Sequence, residues 1–323
     1  MTYMKALKII LKILVVIAVI ILAISYVCYR IAFYVTKKQR QHIIDTPIPS
    51  GKAYEPYYDR LHQWVDNARN LSYEEFCITS FDGLKLYGKY YECAPNAPIE
   101  LMFHGYRGGA ERDLCGGIQR CFKLGRNCLI VDQRASGKSE GNVITFGVNE
   151  SKDCLKWIDF MIEHFGMDVK IILTGISMGA STVLMAAGRE LPSNVVGVLA
   201  DCGYSTARDI IKKCVRQIHL PADILYPFIK LGAKIYGHFD LEEYTPVEAM
   251  KTCQLPVIFF HGESDDFVPG DMSQITYDAC SSAKRIEIIP DADHGIAYLL
   301  DPERYLNAVA EFFTENGVET KVL

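Results

Sequence analysis

Residues 169–189 read Val-Lys-Ile-Ile-Leu-Thr-Gly-Ile-Ser-Met-Gly-Ala-Ser-Thr-Val-Leu-Met-Ala-Ala-Gly-Arg. A short apolar run, Val169 to Leu173, meets the string Gly175-Ile176-Ser177-Met178-Gly179, and a helix-favouring stretch, Met178 to Arg189, follows. The G-x-S-x-G string alone is a weak signal. Set between a strand and a helix it becomes specific, because a nucleophilic serine on a sharp strand-to-helix turn needs that context. Small residues on either side let strand and helix approach without a clash. The turn lifts Ser177 clear of the sheet at the positive end of a helix. Ser177 is the candidate nucleophile.

Outward from this turn, short apolar runs alternate with helical stretches. The runs are Ile99 to Phe103, Cys128 to Val131, Val195 to Ala200, Val257 to Phe260 and Arg285 to Ile289. Helices are expected near Arg112 to Leu124, Val148 to Phe165, Asp271 to Ser281 and Pro302 to Asn316. Continuous apolar strands alternating with helices give a mostly parallel sheet covered on both faces. Ahead of them, Phe76 to Ser80 and Leu84 to Tyr91 flank Phe81-Asp82-Gly83 and read as a hairpin. Ser205 to Phe239 breaks the alternation with a helical insertion of the size and place of a cap.

A serine hydroxyl needs a base. Of eight histidines, His294 is the candidate, in a polar loop between the last strand and the last helix, in the order Ser…Asp…His. His104 and His261 end strands, and His104 reads as a structural loop residue. His164, His219 and His238 fall on predicted helices. The orienting acid should follow the preceding strand, in His261-Gly262-Glu263-Ser264-Asp265-Asp266-Phe267-Val268-Pro269. Asp265 is chosen, with Asp266 as the alternative and Asp201, at another strand end, as a more distant third. The oxyanion needs backbone N–H donors. Met178, after the nucleophile, and Tyr106, in His104-Gly105-Tyr106-Arg107-Gly108-Gly109, are the candidates.

From about Phe76 onward the chain resembles the α/β-hydrolase superfamily. It is similar to membrane-anchored bacterial members grouped with serine aminopeptidases and prolyl-oligopeptidase-like esterases. The matching segments are Ser80 to Leu86, His104-Gly105-Tyr106, Asp132 to Gly141, the serine turn, and the loops holding Asp265 and His294. The resemblance implies an α/β-hydrolase fold and acyl-enzyme chemistry on an ester, thioester or peptide without fixing which; hydrolysis of a carboxylic ester is the leading expectation. It implies no cofactor and no metal, and structural roles for Asp132 and Arg134. Peptidase action on short peptides is the alternative, with Glu242 or Glu243 as a possible acidic pocket for a free terminus. A binding protein without catalysis is the other.

The N-terminus carries a different message. Ile9 to Tyr29 is apolar except for Lys12, Ser25 and Cys28, and about 20 apolar residues cross a bilayer as a helix. No small-residue cleavage site follows it. The expected organisation is a transmembrane anchor over 1–35 and a juxtamembrane linker and helix over 36–75. A hydrolase domain over 76–323 follows, with its cap at about 205–240. In the linker, Pro56 to Asn70 is an amphipathic helix with Leu61, Trp64, Val65 and Ala68 on one face. The basic tail before the span favours an extracytoplasmic catalytic domain, although Arg30, Lys37, Lys38 and Arg40 make the other flank basic too. A lid rich in apolar residues beside a bilayer suits a small-molecule or lipid-like acyl substrate.

Composition narrows the rest. The chain has 323 residues, a net charge of −5 and a pI near 5.9, with no basic stripe for nucleic acid. Its 11 cysteines include no C-x-x-C pair and no zinc spacing, and most sit among apolar residues as small hydrophobes.

Overall fold

The alternation of apolar runs and helices becomes a single eight-stranded sheet wrapped by helices. The computed structural model describes residues 2–318, 320 and 322. In chain order the elements are α1 (Thr2–Ala32), α2 (Lys37–Asp45), α3 (Tyr58–Asn70), β1 (Glu74–Thr79), β2 (Lys85–Tyr91), β3 (Ile99–Phe103), α4 (Ala110–Lys123), β4 (Asn127–Val131), α5 (Val148–Phe165) and β5 (Ile171–Ile176). Then come α6 (Met178–Ala187), β6 (Val195–Asp201), α7 (Ala207–Gln217), α8 (Ala222–Tyr236), α9 (Pro246–Thr252), β7 (Val257–Gly262), α10 (Gly270–Ala279), β8 (Lys284–Ile289), α11 (Ala297–Leu300) and α12 (Pro302–Glu315).

The strand order is β1-β2-β4-β3-β5-β6-β7-β8. β1, β2 and β4 pair antiparallel, and the pairs from β4–β3 to β7–β8 are parallel. Every residue of β3 and β4 is buried, as a sheet covered on both faces requires. Leu101, Phe103, Leu173 and Val198 pack with Trp157 of α5 and Val183 of α6 on one face. Ile172, Leu199 and Ile258 pack with Leu61 of α3, Cys115 of α4 and Phe313 of α12 on the other. All eleven cysteines are free, and seven of them are buried.

A cluster of charged groups lies inside this core. Glu100 of β3 is fully buried, with Arg126 Nη1 2.7 Å away, Arg120 on its other oxygen, and Thr174 Oγ1 donating at 3.0 Å. Burial alone would raise the carboxyl, but the two guanidiniums outweigh it and hold Glu100 at about 2. A carboxyl depressed in the fold stabilises above its unfolded value of 4.5 and loses that contribution as pH falls toward 2. A shift of this size corresponds to about 3 kcal/mol. Thermal melts should therefore show the wild type losing stability between pH 4.5 and 2. Glu100→Gln, which strands two buried arginines, should be less stable by about 3–5 kcal/mol at pH 7 and show a flatter acid limb.

The helix α1 is the one among the described residues long and apolar enough to cross a membrane, over Tyr3–Ala32, with an 18-residue stretch of mean hydropathy 3.1. Its C-terminal end is not free. Ser25, Tyr29 and Phe33 are buried, and Tyr29 and Phe33 share a cluster with Tyr226, Ile229 and Ala233 of α8. A Cβ on Gly232 would overlap the Ser25 carbonyl oxygen, so a glycine is what lets α8 lie against α1. Tyr236 Oη donates to the Leu22 carbonyl at 3.1 Å. Part of the insertion's apolar content is therefore spent on α1. Ile218, Leu220, Ile224 and Ile235 remain exposed.

Several local expectations change. The serine-bearing strand begins at Ile171 rather than Val169 and runs to Ile176, because it stays in register with β3 and β6 up to the turn. The stretch expected as linker contains α2, started by a capping box in which Thr36 and Gln39 bond each other's backbone N–H. His219 and His238 lie just past α7 and α8, at φ 59° and 57°, not on helices; each takes the left-handed position that ends a helix.

Candidate active site

The residues of the serine turn explain its shape. Ser177 adopts φ 56° and ψ −119°, a conformation costing about 1–3 kcal/mol for a residue with a Cβ. The surroundings hold it there. Ser177 N–H donates to the Asp201 carbonyl at 2.8 Å, and the Ser177 carbonyl accepts from Ser181 N–H at 3.2 Å. A Cβ on Gly175 would overlap the Gly179 backbone, and one on Gly179 would overlap the Phe103 carbonyl. Both glycines of the motif are thus demanded by close backbone approach, and Ser177 stands at the N-terminus of α6.

The loops after β7 and β8 bring the partners. His294 Nε2 lies 3.0 Å from Ser177 Oγ, and His294 Nδ1 lies 2.7 Å from Asp265 Oδ2. The other oxygen of Asp265 accepts Phe267 N–H at 2.9 Å and Val268 N–H at 2.8 Å. His261 Nε2 sits 3.3 Å from Oδ2 and 2.8 Å from the Val268 carbonyl, so that nitrogen carries a proton. Burial opposes ionisation of Asp265, but hydrogen bonds from His261 and His294 prevail and hold its carboxyl well below the usual range. Asp265 is therefore an anion at neutral pH, able to fix the His294 tautomer and to stabilise an imidazolium.

The alternative acids sit elsewhere. Asp266 is exposed, and its backbone carbonyl accepts from Gln217 Nε2 at 3.1 Å. Asp201 is buried and its Oδ2 accepts from Tyr305 Oη at 2.9 Å. Burial raises its carboxyl, only partly offset by that hydrogen bond.

The loop after β3 passes close to Ser177. A Cβ built on Gly105 would lie 3.9 Å from Ser177 Oγ, and Tyr106 follows it on the same loop. Met178 opens α6 immediately after Ser177. His104 is buried, its Nε2 accepting from Gln133 N–H at 3.1 Å while Gln133 Nε2 donates to its carbonyl at 2.7 Å; it supports the loop. Asp132 accepts from Ala110 N–H at 3.1 Å and Lys138 N–H at 3.0 Å. Arg134 makes two 2.7 Å bonds to Asp153 and bonds Asp82 at 2.9 and 3.1 Å. Asp132 thus joins the loop after β4 to the start of α4, and Arg134 joins that loop to α5 and to the turn between β1 and β2.

Sequence reasoning missed several neighbours. Tyr54, from the stretch before α3, donates to the His294 carbonyl at 3.1 Å. Phe267 stacks edge-on to His294 with centroids 5.0 Å apart. The end of α1 meets the loop after β3. Tyr106 Oη donates to the Ala32 carbonyl at 2.8 Å and Arg107 Nη2 to the Ile31 carbonyl at 2.7 Å, satisfying carbonyls that a helix end leaves open. Nothing in the local sequence announces these contacts; those of Tyr54, Tyr106 and Arg107 join segments 70 to 240 residues apart.

The side chains of Cys202, Asp265 and His294 offer three ligand atoms within 4.8 Å of one another. The donor chemistry fits a metal poorly. Burial pushes the Cys202 thiol well above its usual range, so no thiolate is available, and the other two groups bond each other. A cavity of about 270 Å³ is lined by Ser177 and His294 together with Gly105, Ile176 and residues of α4. Among the described residues, none of α7 or α8 lines it.

The class is now defined: an α/β-hydrolase fold presenting a serine, a histidine and an aspartate in hydrogen-bonded sequence. Residues 144–318, more than half of the chain, match the prolyl oligopeptidase family, and the chain belongs to that family and is a serine hydrolase. It is 25% identical over 304 residues to the uncharacterized protein YqkD of Bacillus subtilis, covering 93% of this chain and 95% of YqkD. It is 25% identical over 234 residues to protein bem46 of Schizosaccharomyces pombe, covering 71% of each. Among solved structures, the esterase Pf2001 of Pyrococcus furiosus aligns over 77% of this chain and 94% of its own, at a TM-score of 0.63 and 21% identity.

Proposed function

We propose that the chain is a membrane-anchored serine esterase working through an acyl-enzyme. The observation that carries this reading is the chain of contacts Ser177 Oγ–His294 Nε2 at 3.0 Å and His294 Nδ1–Asp265 Oδ2 at 2.7 Å. In this mechanism His294 takes the Ser177 proton as the oxygen attacks the carbonyl, then returns it to the leaving alcohol. Asp265 holds the imidazole. The amides of Met178 and Tyr106 receive the oxyanion, each such donor contributing roughly 3–4 kcal/mol. Water then repeats the cycle on the acyl-enzyme.

The family also favours a peptidase reading, which needs a pocket for a peptide terminus. Glu242 and Glu243, the acids considered for that role, are otherwise engaged. Glu242 accepts from Tyr226 Oη at 2.8 Å and pairs with Arg208 at 2.9 Å and with Lys230; Glu243 pairs with Lys152 at 2.8 Å. Neither lines the cavity. The purified full-length chain should therefore turn over p-nitrophenyl butanoate with kcat/KM at least a hundredfold above that for alanine p-nitroanilide. The reverse order would establish a peptidase.

The anchor reading extends this. The packing of Ser25, Tyr29 and Phe33 against α8 and the bonds from Tyr106 and Arg107 to the end of α1 favour retention of α1 over its cleavage as a signal. With the basic tail Lys5, Lys8 and Lys12 inside, the catalytic domain faces outward. Protease added to intact cells should then digest the domain. Digestion only after lysis would place it on the cytoplasmic side and leave the chemistry unchanged.

A further inference from the structure

A helix that crosses a bilayer sets the depth of whatever packs on it, and the charges on α1 fix that depth. Lys5, Lys8 and Lys12 precede an uncharged run, Ile13 to Tyr29, and Arg30 follows it. At ~1.5 Å per residue the run is about 25 Å long, shorter than a hydrocarbon core of about 30 Å. Charged side chains are costly inside that core. The whole run therefore belongs within it, with Lys12 and Arg30 reaching back to the two surfaces. Arg30 lies over the Tyr34 ring at 4.0 Å, and both residue types favour a membrane interface.

The end of that run is where α8 lies. A Cβ on Gly232 would overlap the Ser25 carbonyl oxygen and come within 3.1 Å of Tyr29 Cβ. One turn further along α8, the Tyr236 ring lies 5.1 Å from the Tyr26 ring, and its hydroxyl donates to the Leu22 carbonyl at 3.1 Å. As α8 advances a turn, its partners step back a turn on α1. The two helices thus run antiparallel, and the end of α8 points into the bilayer. Leu22, Ser25 and Tyr26 fall inside the uncharged run, so Gly232 to Tyr236 lie at hydrocarbon depth. This end of α8 suits such surroundings. Ile224, Phe228, Leu231 and Ile235 recur at helical spacing, on the face turned away from the buried Tyr226, Ile229, Gly232 and Ala233. Ile224 and Ile235 are exposed. The Gly232 and Ala233 carbonyls accept from Gly237 and Phe239 N–H at 3.3 Å each, and the Tyr236 hydroxyl has the Leu22 carbonyl. Pairing that needs no water is what a lipid environment demands. Lys234, exposed beside Ile235, has a stem that carries its charge to the headgroups.

We propose that the C-terminal end of α8 is a second membrane-contacting element. Leu231, Ile235 and Tyr236 sit in the leaflet nearest the catalytic domain, and lipid acyl chains cover the apolar face that the protein leaves open. The catalytic domain is thereby seated on the bilayer through its cap as well as through α1. The inference rests on α1 spanning the bilayer and adds to it a surface of the catalytic domain.

The test reconstitutes the full-length chain in phosphatidylcholine vesicles, with a fluorescent amino acid placed by nonsense suppression at one position at a time. The positions are Val16 within α1, Ile235 in α8 and Ile275 in α10, which packs on α9, β7 and β8. All three are exposed, so the label displaces no core contact. Phosphatidylcholine bearing a doxyl quencher on its acyl chain then replaces part of the lipid. Emission at Val16 and at Ile235 should fall at least twofold, and at Ile275 by less than a tenth. Quenching at Val16 without quenching at Ile235 overturns the proposal and leaves α1 as the membrane contact. Equal quenching at Ile235 and Ile275 also overturns it, since the domain then meets lipid with no preference for the cap. No quenching at Val16 removes the spanning helix and the proposal with it. None of these outcomes bears on ester hydrolysis, because none is read from turnover.

Discussion

Ser177→Ala should lower kcat for p-nitrophenyl butanoate by on the order of 10⁶-fold, with KM nearly unchanged. No neighbouring hydroxyl can substitute, since the strained turn presents only the residue-177 side chain to His294 Nε2. What survives is the smaller acceleration that the oxyanion amides and binding supply alone. The fold should be unaffected, because alanine takes the same backbone geometry and the Ser177 backbone bonds to Asp201 and Ser181 remain. Steady-state kinetics at enzyme concentrations high enough to see a 10⁶-fold loss check this. A residual rate within a hundredfold of wild type would move the nucleophile elsewhere.

Asp265→Asn should lower kcat by on the order of 10⁴-fold. The asparagine oxygen can keep the bonds from Phe267 and Val268 N–H, so the loop stays in place. Its amide nitrogen then faces His294 Nδ1, which must accept rather than donate. That tautomer leaves a proton on Nε2, pointing at Ser177 Oγ, and the base is lost. The amide also confronts the proton on His261 Nε2, so some loss of stability accompanies the loss of rate. Asp266→Asn is the control. Its side chain is exposed and only its backbone carbonyl is used, so its kcat should stay within a factor of about two of wild type, as for a surface change away from any buried feature. Equal effects at the two positions would reverse the choice of acid.

Much of this candidate site is legible in the sequence because each of the three residues that the structure brings together announces itself locally. Ser177 sits in a glycine-flanked turn, Asp265 follows an apolar strand, and His294 follows the last strand in a polar loop. Their order along the chain is enough to join them. The helix α9 shows a signal passed over: Thr245-Pro246-Val247-Glu248 carries a capping residue, a proline at the first turn and a glutamate three residues on, and Thr245 Oγ1 indeed accepts from Glu248 N–H at 3.2 Å. The helix α2 was hidden for another reason. Lys37 to Gln41 has no apolar period, and the prolines after it suggested a linker.

The lining of the cavity could not be read as a whole. Arg120, Asp201 and Tyr298 come from a helix, a strand end and a short helix some 80 to 100 residues apart. Only the packing of α4 against the sheet, through Gly116 and Gly117, puts them round one space. The joining of α1 to the loop of Tyr106 and Arg107 was equally silent. Sequence separates an anchor from a catalytic unit, whereas the structure packs the end of one against the active-site loop of the other.

The central claim is that Ser177 is the activated nucleophile of a serine hydrolase. Its most direct test is to react the folded full-length protein with a fluorophosphonate, digest it and locate the adduct by mass spectrometry. The account predicts one stoichiometric adduct on Ser177, absent when His294 is replaced by alanine. An adduct on another residue, or none on protein shown to be folded, would contradict it.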